Sequence, residues 1–278
     1  MKLSTLLIIV YIIIIITIII VLNSLSCDRN YWKRMLPMQQ CPFDNKLDYR
    51  VANTFGNENV PKEIGGIVSY SLFGNYTKYS VKLLESVKII PKMLPGWYAR
   101  VYVGIDIPDD IKNQLIKNGA QVYIMGPSVQ KGFEAALWRF GPAGELYPFI
   151  SLDADDLFDE RIASNTKAWL KSGKIFASFS RHAFVVPLAA GLWGARPIKT
   201  EGGLKPVFPN IQEHINSYCE HWFGFDEAYL KTNVWPLFKQ YGYYQCSGFY
   251  LTEVSIIGII IIIAAMIYSI YVAKNLER

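Results

Sequence analysis

Three carboxylates fall within four positions at Asp153-Ala154-Asp155-Asp156, directly after the apolar run Pro148-Phe149-Ile150-Ser151-Leu152. Carboxylates so close repel one another unless a cation neutralises them. A donor set made of hard oxygens suits Mg²⁺ or Mn²⁺, usually shared with a diphosphate. The period of a strand puts Asp153 and Asp155 on one face, and at a strand end the cluster can converge on one point. The competing reading is the N-cap and first turn of a following helix, where Asp is favoured. The position after a strand in an α/β pattern favours the metal chemistry. His182, His214 and His221 are too scattered to ligate together, and Cys27, Cys41, Cys219 and Cys246 form no Cys-x-x-Cys pair, which argues against zinc.

An acidic cluster needs elements to hold it, and the pattern around it supplies them. Ile64 to Tyr70 reads as a short strand ending in a turn at Ser71-Leu72-Phe73-Gly74-Asn75. Tyr79 to Ile90 has helical spacing, Ala99 to Ile105 reads as a buried strand, and Pro108 opens a helix over 109–118 closed by Asn118-Gly119. Gln121 to Met125 is a strand, 132–140 is helical, and Pro148 to Leu152 is a further strand. Such alternation predicts an α/β domain with a mostly parallel sheet, whose ligands gather at the carboxyl ends of its strands.

The chain has 278 residues, 51% of them hydrophobic. Seventeen of the twenty residues at 3–22, and seventeen of the twenty at 254–273, are apolar. Each run is long enough to cross a bilayer as a helix of about 30 Å. The sequence therefore predicts an N-terminal transmembrane anchor over 1–23, a stem over 24–62 and a globular domain over 63–250. A C-terminal transmembrane helix over 254–273 and a short tail over 274–278 follow. An integral membrane protein with two spans is the expected localisation. Lys274 and Arg278 place the tail in the cytoplasm, whereas Arg29, Lys33 and Arg34 after the first span argue the other way. The cysteines, free to pair in three ways, and the sequon Asn75-Tyr76-Thr77 favour a lumenal or extracytoplasmic domain. The formal net charge of +5 is spread without a basic run, so nucleic acid is not an expected partner.

From Val68 to about Tyr244 the chain resembles a glycosyltransferase-like family of large DNA viruses and bacteria. That family has the nucleotide-diphospho-sugar transferase fold called GT-A. The resemblance rests on an ordered series: Ser69-Tyr70-Ser71-Leu72-Phe73-Gly74 with Tyr79, then Gly96 to Tyr102, then Trp138-Arg139-Phe140. Asp153-Ala154-Asp155 follows, then Arg161, Trp169-Leu170 and Ser172-Gly173-Lys174. Gly191-Leu192-Trp193-Gly194-Ala195 and Asp226-Glu227 with Leu230 and Trp235-Pro236 complete it. It implies a GT-A-like mixed, mostly parallel sheet flanked by helices, here with a transmembrane helix at each end.

The resemblance also implies roles. Asp153 and Asp155 hold Mn²⁺ or Mg²⁺ against the two phosphates of a nucleotide-sugar donor, with Asp153 on the metal or the ribose. Ser71, Phe73 and Gly74 contact the nucleotide. Arg139 pairs with a phosphate or fixes Asp153 by a forked hydrogen bond. Trp193 stacks on the acceptor sugar, and Asp226 is the base that deprotonates the acceptor hydroxyl. The expected activity is transfer of a sugar to a membrane-associated glycan, lipid or protein acceptor beside the bilayer. The chain departs from the family at Leu152 and Asp156, which flank the acidic pair, at Arg161-Ile162 and at Ser180-Arg181-His182. It also departs at Glu227, where Gln is usual, and at Tyr244-Gln245-Cys246-Ser247, which lacks a His. Those departures motivate the alternative of a catalytically degenerate binding or structural membrane protein of viral type.

Overall fold

Strands β2 (Gly66–Leu72) and β3 (Trp97–Val103) are buried at every position, as apolar strands must be when helices cover both faces of a parallel sheet. The computed structural model describes residues 50–126, 134–179, 188–217 and 224–244. The remaining strands of the main sheet are β1 (Val51–Phe55), β4 (Gln121–Met125), β5 (Phe149–Leu152), β6 (Phe176–Ser178), β7 (Leu192–Ala195) and β10 (Gly242–Tyr244). A separate two-stranded hairpin pairs β8 (Ile198–Thr200) with β9 (Gly203–Lys205).

The eight strands run in the order β1-β4-β3-β2-β5-β7-β6-β10. The pairs β2–β3, β3–β4, β2–β5 and β6–β10 are parallel. Antiparallel pairing joins β1 to β4 and β7 to both β5 and β6. Helix α1 (Tyr76–Met93) carries the chain from β2 to β3, and α2 (Asp109–Lys117) carries it from β3 to β4. The chain then returns through a 3-10 helix, Glu134–Gly144, to β5 on the other side of β2. The winding therefore reverses between β2 and β5, and a crevice opens at their carboxyl ends.

One face of the sheet packs against α1, α2 and α3 (Glu160–Ser172), with Tyr70, Leu83, Val87, Ile90, Leu115, Ile162 and Trp169 in one cluster. The opposite face packs against the 3-10 helix, α4 (Ile211–Asn216), α5 (Phe225–Tyr229) and α6 (Trp235–Tyr241) around Phe140, Phe149, Trp193 and Tyr229. Helix α1 shows why it docks where it does. Leu83, Val87 and Ile90 are buried at three- and four-residue spacing, while Lys78, Lys82, Glu85, Lys88 and Lys92 are exposed. Each buried aliphatic contributes roughly 1.5–3 kcal/mol of apolar burial.

Two expectations are corrected here. The fold is a mixed α/β sheet of eight strands, and no helix among the described residues is long and apolar enough to cross a membrane. The longest, α1, has 18 residues and an outer face that carries Lys78, Lys82, Glu85, Lys88 and Lys92, which suits water and not lipid. The expected spans over 1–23 and 254–273 lie outside the described residues, as do the four cysteines. The expectation of an integral membrane protein with a transmembrane helix at each end is therefore not carried forward. The domain also begins earlier than the sequence suggests. Val51–Phe55, assigned to the stem, is an edge strand of the main sheet.

Candidate active site

The carboxyl end of β2 delivers Ser71, Leu72 and Phe73 to the crevice, and the end of β5 delivers Asp153, Ala154 and Asp155. Between them lies a cavity of about 510 Å³, within the range of pockets that hold small ligands. Tyr79 of α1, Ala136 and Arg139 of the 3-10 helix, Ala189 to Gly191 before β7, and Gly224 to Glu227 at the start of α5 complete its wall.

The acidic turn is set by local hydrogen bonds. Ladder pairing of β5 ends at Leu152, and Asp156 N then donates to Asp153 O at 3.0 Å, closing a turn. Lys82 Nζ donates to Asp155 O at 2.7 Å and holds that turn against α1. The cap of the next helix is Asp159, whose side chain accepts from Ile162 N at 2.8 Å. Capping therefore falls to Asp159, and Asp153 and Asp155 are left to line the cavity. Gly191 allows the close fit: a Cβ there would overlap the Asp153 carboxylate.

Arg139 ties three walls together. Its Nη1 pairs with Asp153 Oδ1, and its Nη2 donates to Asp226 Oδ2 at 2.8 Å. Its backbone N–H donates to Ser71 Oγ at 3.1 Å, so the 3-10 helix is anchored on β2. The Arg139 side chain is 6% exposed, and its Nε has no partner among the described residues. Burial pulls the guanidinium towards release of its proton, but Asp153 and Asp226 more than offset this and raise its pKa. Burial raises the Asp226 carboxyl above its ordinary value, with Arg139 opposing. Burial, then the charges of Asp226 and Asp153, push Glu227 up to about 7.

Of the residues singled out from sequence, Ser71, Phe73, Arg139, Asp153, Asp155 and Asp226 line one cavity. Two do not. Gly74 (φ 63°) donates its N–H to Asp106 Oδ2 at 2.8 Å, so that N–H is taken up within the protein. Trp193 is fully buried, edge-on to Phe140 and Phe149 at 5.1 Å from each, away from the cavity. Sequence reasoning noted Glu227 only as a departure from a family that usually has Gln there, and gave Gly191 no contact with Asp153. Their importance depends on burial and on a tertiary approach that spacing does not show.

No family model matches the chain, and no curated protein matches it. Among solved structures the chain is similar to a cytidylyltransferase from Leptospira borgpetersenii serovar Hardjo-bovis (strain JB197). The TM-score is 0.42, with 14% identity over 66% of this chain and 76% of that chain. At that level the likeness leaves function to the chemistry of the cavity.

The donor set bears on the expected metal. Among the described residues no group of three or more His, Cys, Asp or Glu could hold a metal ion by itself. Asp153 Oδ1 is spent on Arg139, while the Asp155 carboxylate has no hydrogen-bond partner among the described residues. One or two carboxylates are the usual protein share for Mg²⁺, which fills its sphere with water and substrate phosphate. The described residues thus fit an ion that arrives with a phosphorylated ligand, and do not by themselves form a metal cage.

Proposed function

We propose that the chain is a glycosyltransferase that moves a sugar from a nucleotide-diphospho-sugar to a hydroxyl-bearing glycan, lipid or protein. Mn²⁺ or Mg²⁺ would enter with the donor. The observation that carries this reading is the placement of Asp153 and Asp155 at the mouth of the crevice between β2 and β5. Among the described residues the cavity is lined by the acidic residues Asp153, Asp155, Asp226 and Glu227, against the single guanidinium of Arg139. A diphosphate entering alone meets net repulsion there, which a divalent cation relieves.

In this reading Ser71, Phe73 and Tyr79 form the nucleotide side. Asp155 and the remaining oxygen of Asp153 would hold the ion that accompanies the diphosphate. When bound, the ion would stabilise negative charge on the departing nucleoside diphosphate. Arg139 holds Asp153 and Asp226 in fixed relation, so that the donor and acceptor sides keep their register. Gly224 to Glu227 form the acceptor side.

A second reading, a catalytically degenerate sugar-nucleotide binding protein, is favoured by the fact that Asp153 is already paired with Arg139. Incubating the full chain with UDP-glucose, UDP-N-acetylglucosamine and GDP-mannose, Mn²⁺ and a pool of mono- and disaccharides decides between them. Mass spectrometry should find a lengthened acceptor with release of nucleoside diphosphate. Binding of nucleotide with no such release from any donor supports the second reading.

A further inference from the structure

Within the glycosyltransferase reading, on which this inference rests, we propose that Glu227 is the base that takes the acceptor's proton. Asp226 beside it is a positioning residue. The two are adjacent in sequence and close in chemistry, and only the fold tells them apart.

Asp226 is committed within the protein. Its Oδ2 accepts from Arg139 Nη2 at 2.8 Å and its Oδ1 accepts from Glu227 N at 3.0 Å. Its side chain is 15% exposed. Moving it onto a substrate hydroxyl would leave the buried guanidinium short of a partner, which is costly. Glu227 lines the same cavity, and its carboxylate has no hydrogen-bond partner among the described residues. A half-buried carboxylate that faces a cavity without a partner is poised for one that a ligand brings.

The electrostatic setting agrees. Burial, then the charges of Asp226 and Asp153, raise Glu227 to about 7, with Arg139 opposing. A base titrating near neutral pH both exists in the ionised form and holds a proton well. The step balances. The acceptor oxygen forms the new bond to the anomeric carbon as the bond from that carbon to the diphosphate oxygen breaks. The electron pair of that bond leaves with the nucleoside diphosphate, and the acceptor's proton passes to Glu227.

The test uses the full chain and two readouts. In the first, accessible carboxyls are coupled to glycine methyl ester with a carbodiimide, with and without Mn²⁺ and UDP, and mapped by mass spectrometry. Glu227 should be labelled in both states while Asp226 stays protected; labelling of Asp226 with protection of Glu227 would overturn the assignment. In the second, Glu227→Gln should keep the Mn²⁺–UDP affinity within about twofold and lose turnover by about 100-fold or more. Glu227→Asp should recover part of that loss with a displaced pH profile. Turnover of Glu227→Gln within about threefold of the parent would refute the base role. Absence of any nucleotide binding in the parent chain would instead refute the glycosyltransferase reading beneath it.

Discussion

Replacing Glu227 by Gln should stabilise the protein at alkaline pH and leave it nearly unchanged at acidic pH. In the unfolded chain this carboxyl releases its proton near 4.5, and in the folded protein only near 7. Between those values the folded state binds the extra proton, so stability falls as pH rises through the window and the full cost stands above about 7. The displacement corresponds to about 3 kcal/mol at about 1.4 kcal/mol per tenfold change in acidity. Partial exposure of the side chain reduces this to about 2 kcal/mol. Urea unfolding in EDTA at pH 5 and pH 8 measures it. The variant should exceed the parent by less than about 1 kcal/mol at pH 5, where the cost has only begun, and by about 2 kcal/mol at pH 8. Asp226, also raised, shifts the same way in both proteins and largely cancels. Equal stability of the two proteins at pH 8 would refute the premise that Glu227 sits unpaired among like charges. A gain in stability on removing the group, with loss of activity, is the pattern expected of a functional carboxylate.

Arg139→Ala leaves the buried Asp226 without its cation and should cost about 3 kcal/mol in urea unfolding. Arg139→Lys should recover only part, because one ammonium cannot fork between Asp153 and Asp226. Gly191→Ala places a methyl against the Asp153 carboxylate. It should weaken nucleotide binding more than tenfold by calorimetry at a stability cost of about 1–3 kcal/mol. Trp193→Phe opens a void beside Phe140 and Phe149 and should lower stability by about 1–3 kcal/mol. Nucleotide and acceptor affinities should stay unchanged, as expected of a core residue.

Much of the positioning framework is readable in the chain because its signals are local. Gln121-Val122-Tyr123-Ile124-Met125 is β-branched or aromatic at its centre and bounded by Gly119 and Gly126, so its limits as a strand could be read directly. Asp153 and Asp155 are legible for the same reason: an apolar strand ends and carboxylates begin. The segment over 132–140 reads as helical, yet the structure forms a tighter 3-10 helix over Glu134–Gly144, with Pro142 unable to donate a backbone hydrogen bond. Val51–Phe55 escaped notice because an edge strand exposes most of its residues and shows no clean alternation. Trp193 reads as a sugar platform between two glycines, but β7 is apolar at all four positions. Which face it turns inward is fixed only by its pairing between β5 and β6. The separation of Asp226 from Glu227 depends on Arg139, 87 residues away in sequence, and no local pattern carries it.

Calorimetric titration of the full chain with UDP, GDP and CDP, in Mn²⁺ and again in EDTA, tests the central claim most directly. The account predicts binding of at least one nucleoside diphosphate in Mn²⁺, none in EDTA, and loss of that binding in Asp155→Ala with folding intact. Mn²⁺ alone should bind weakly, because the described residues offer too few ligands to hold it without the phosphates. Equal nucleotide binding with and without metal, or no binding to any of the three, would contradict it.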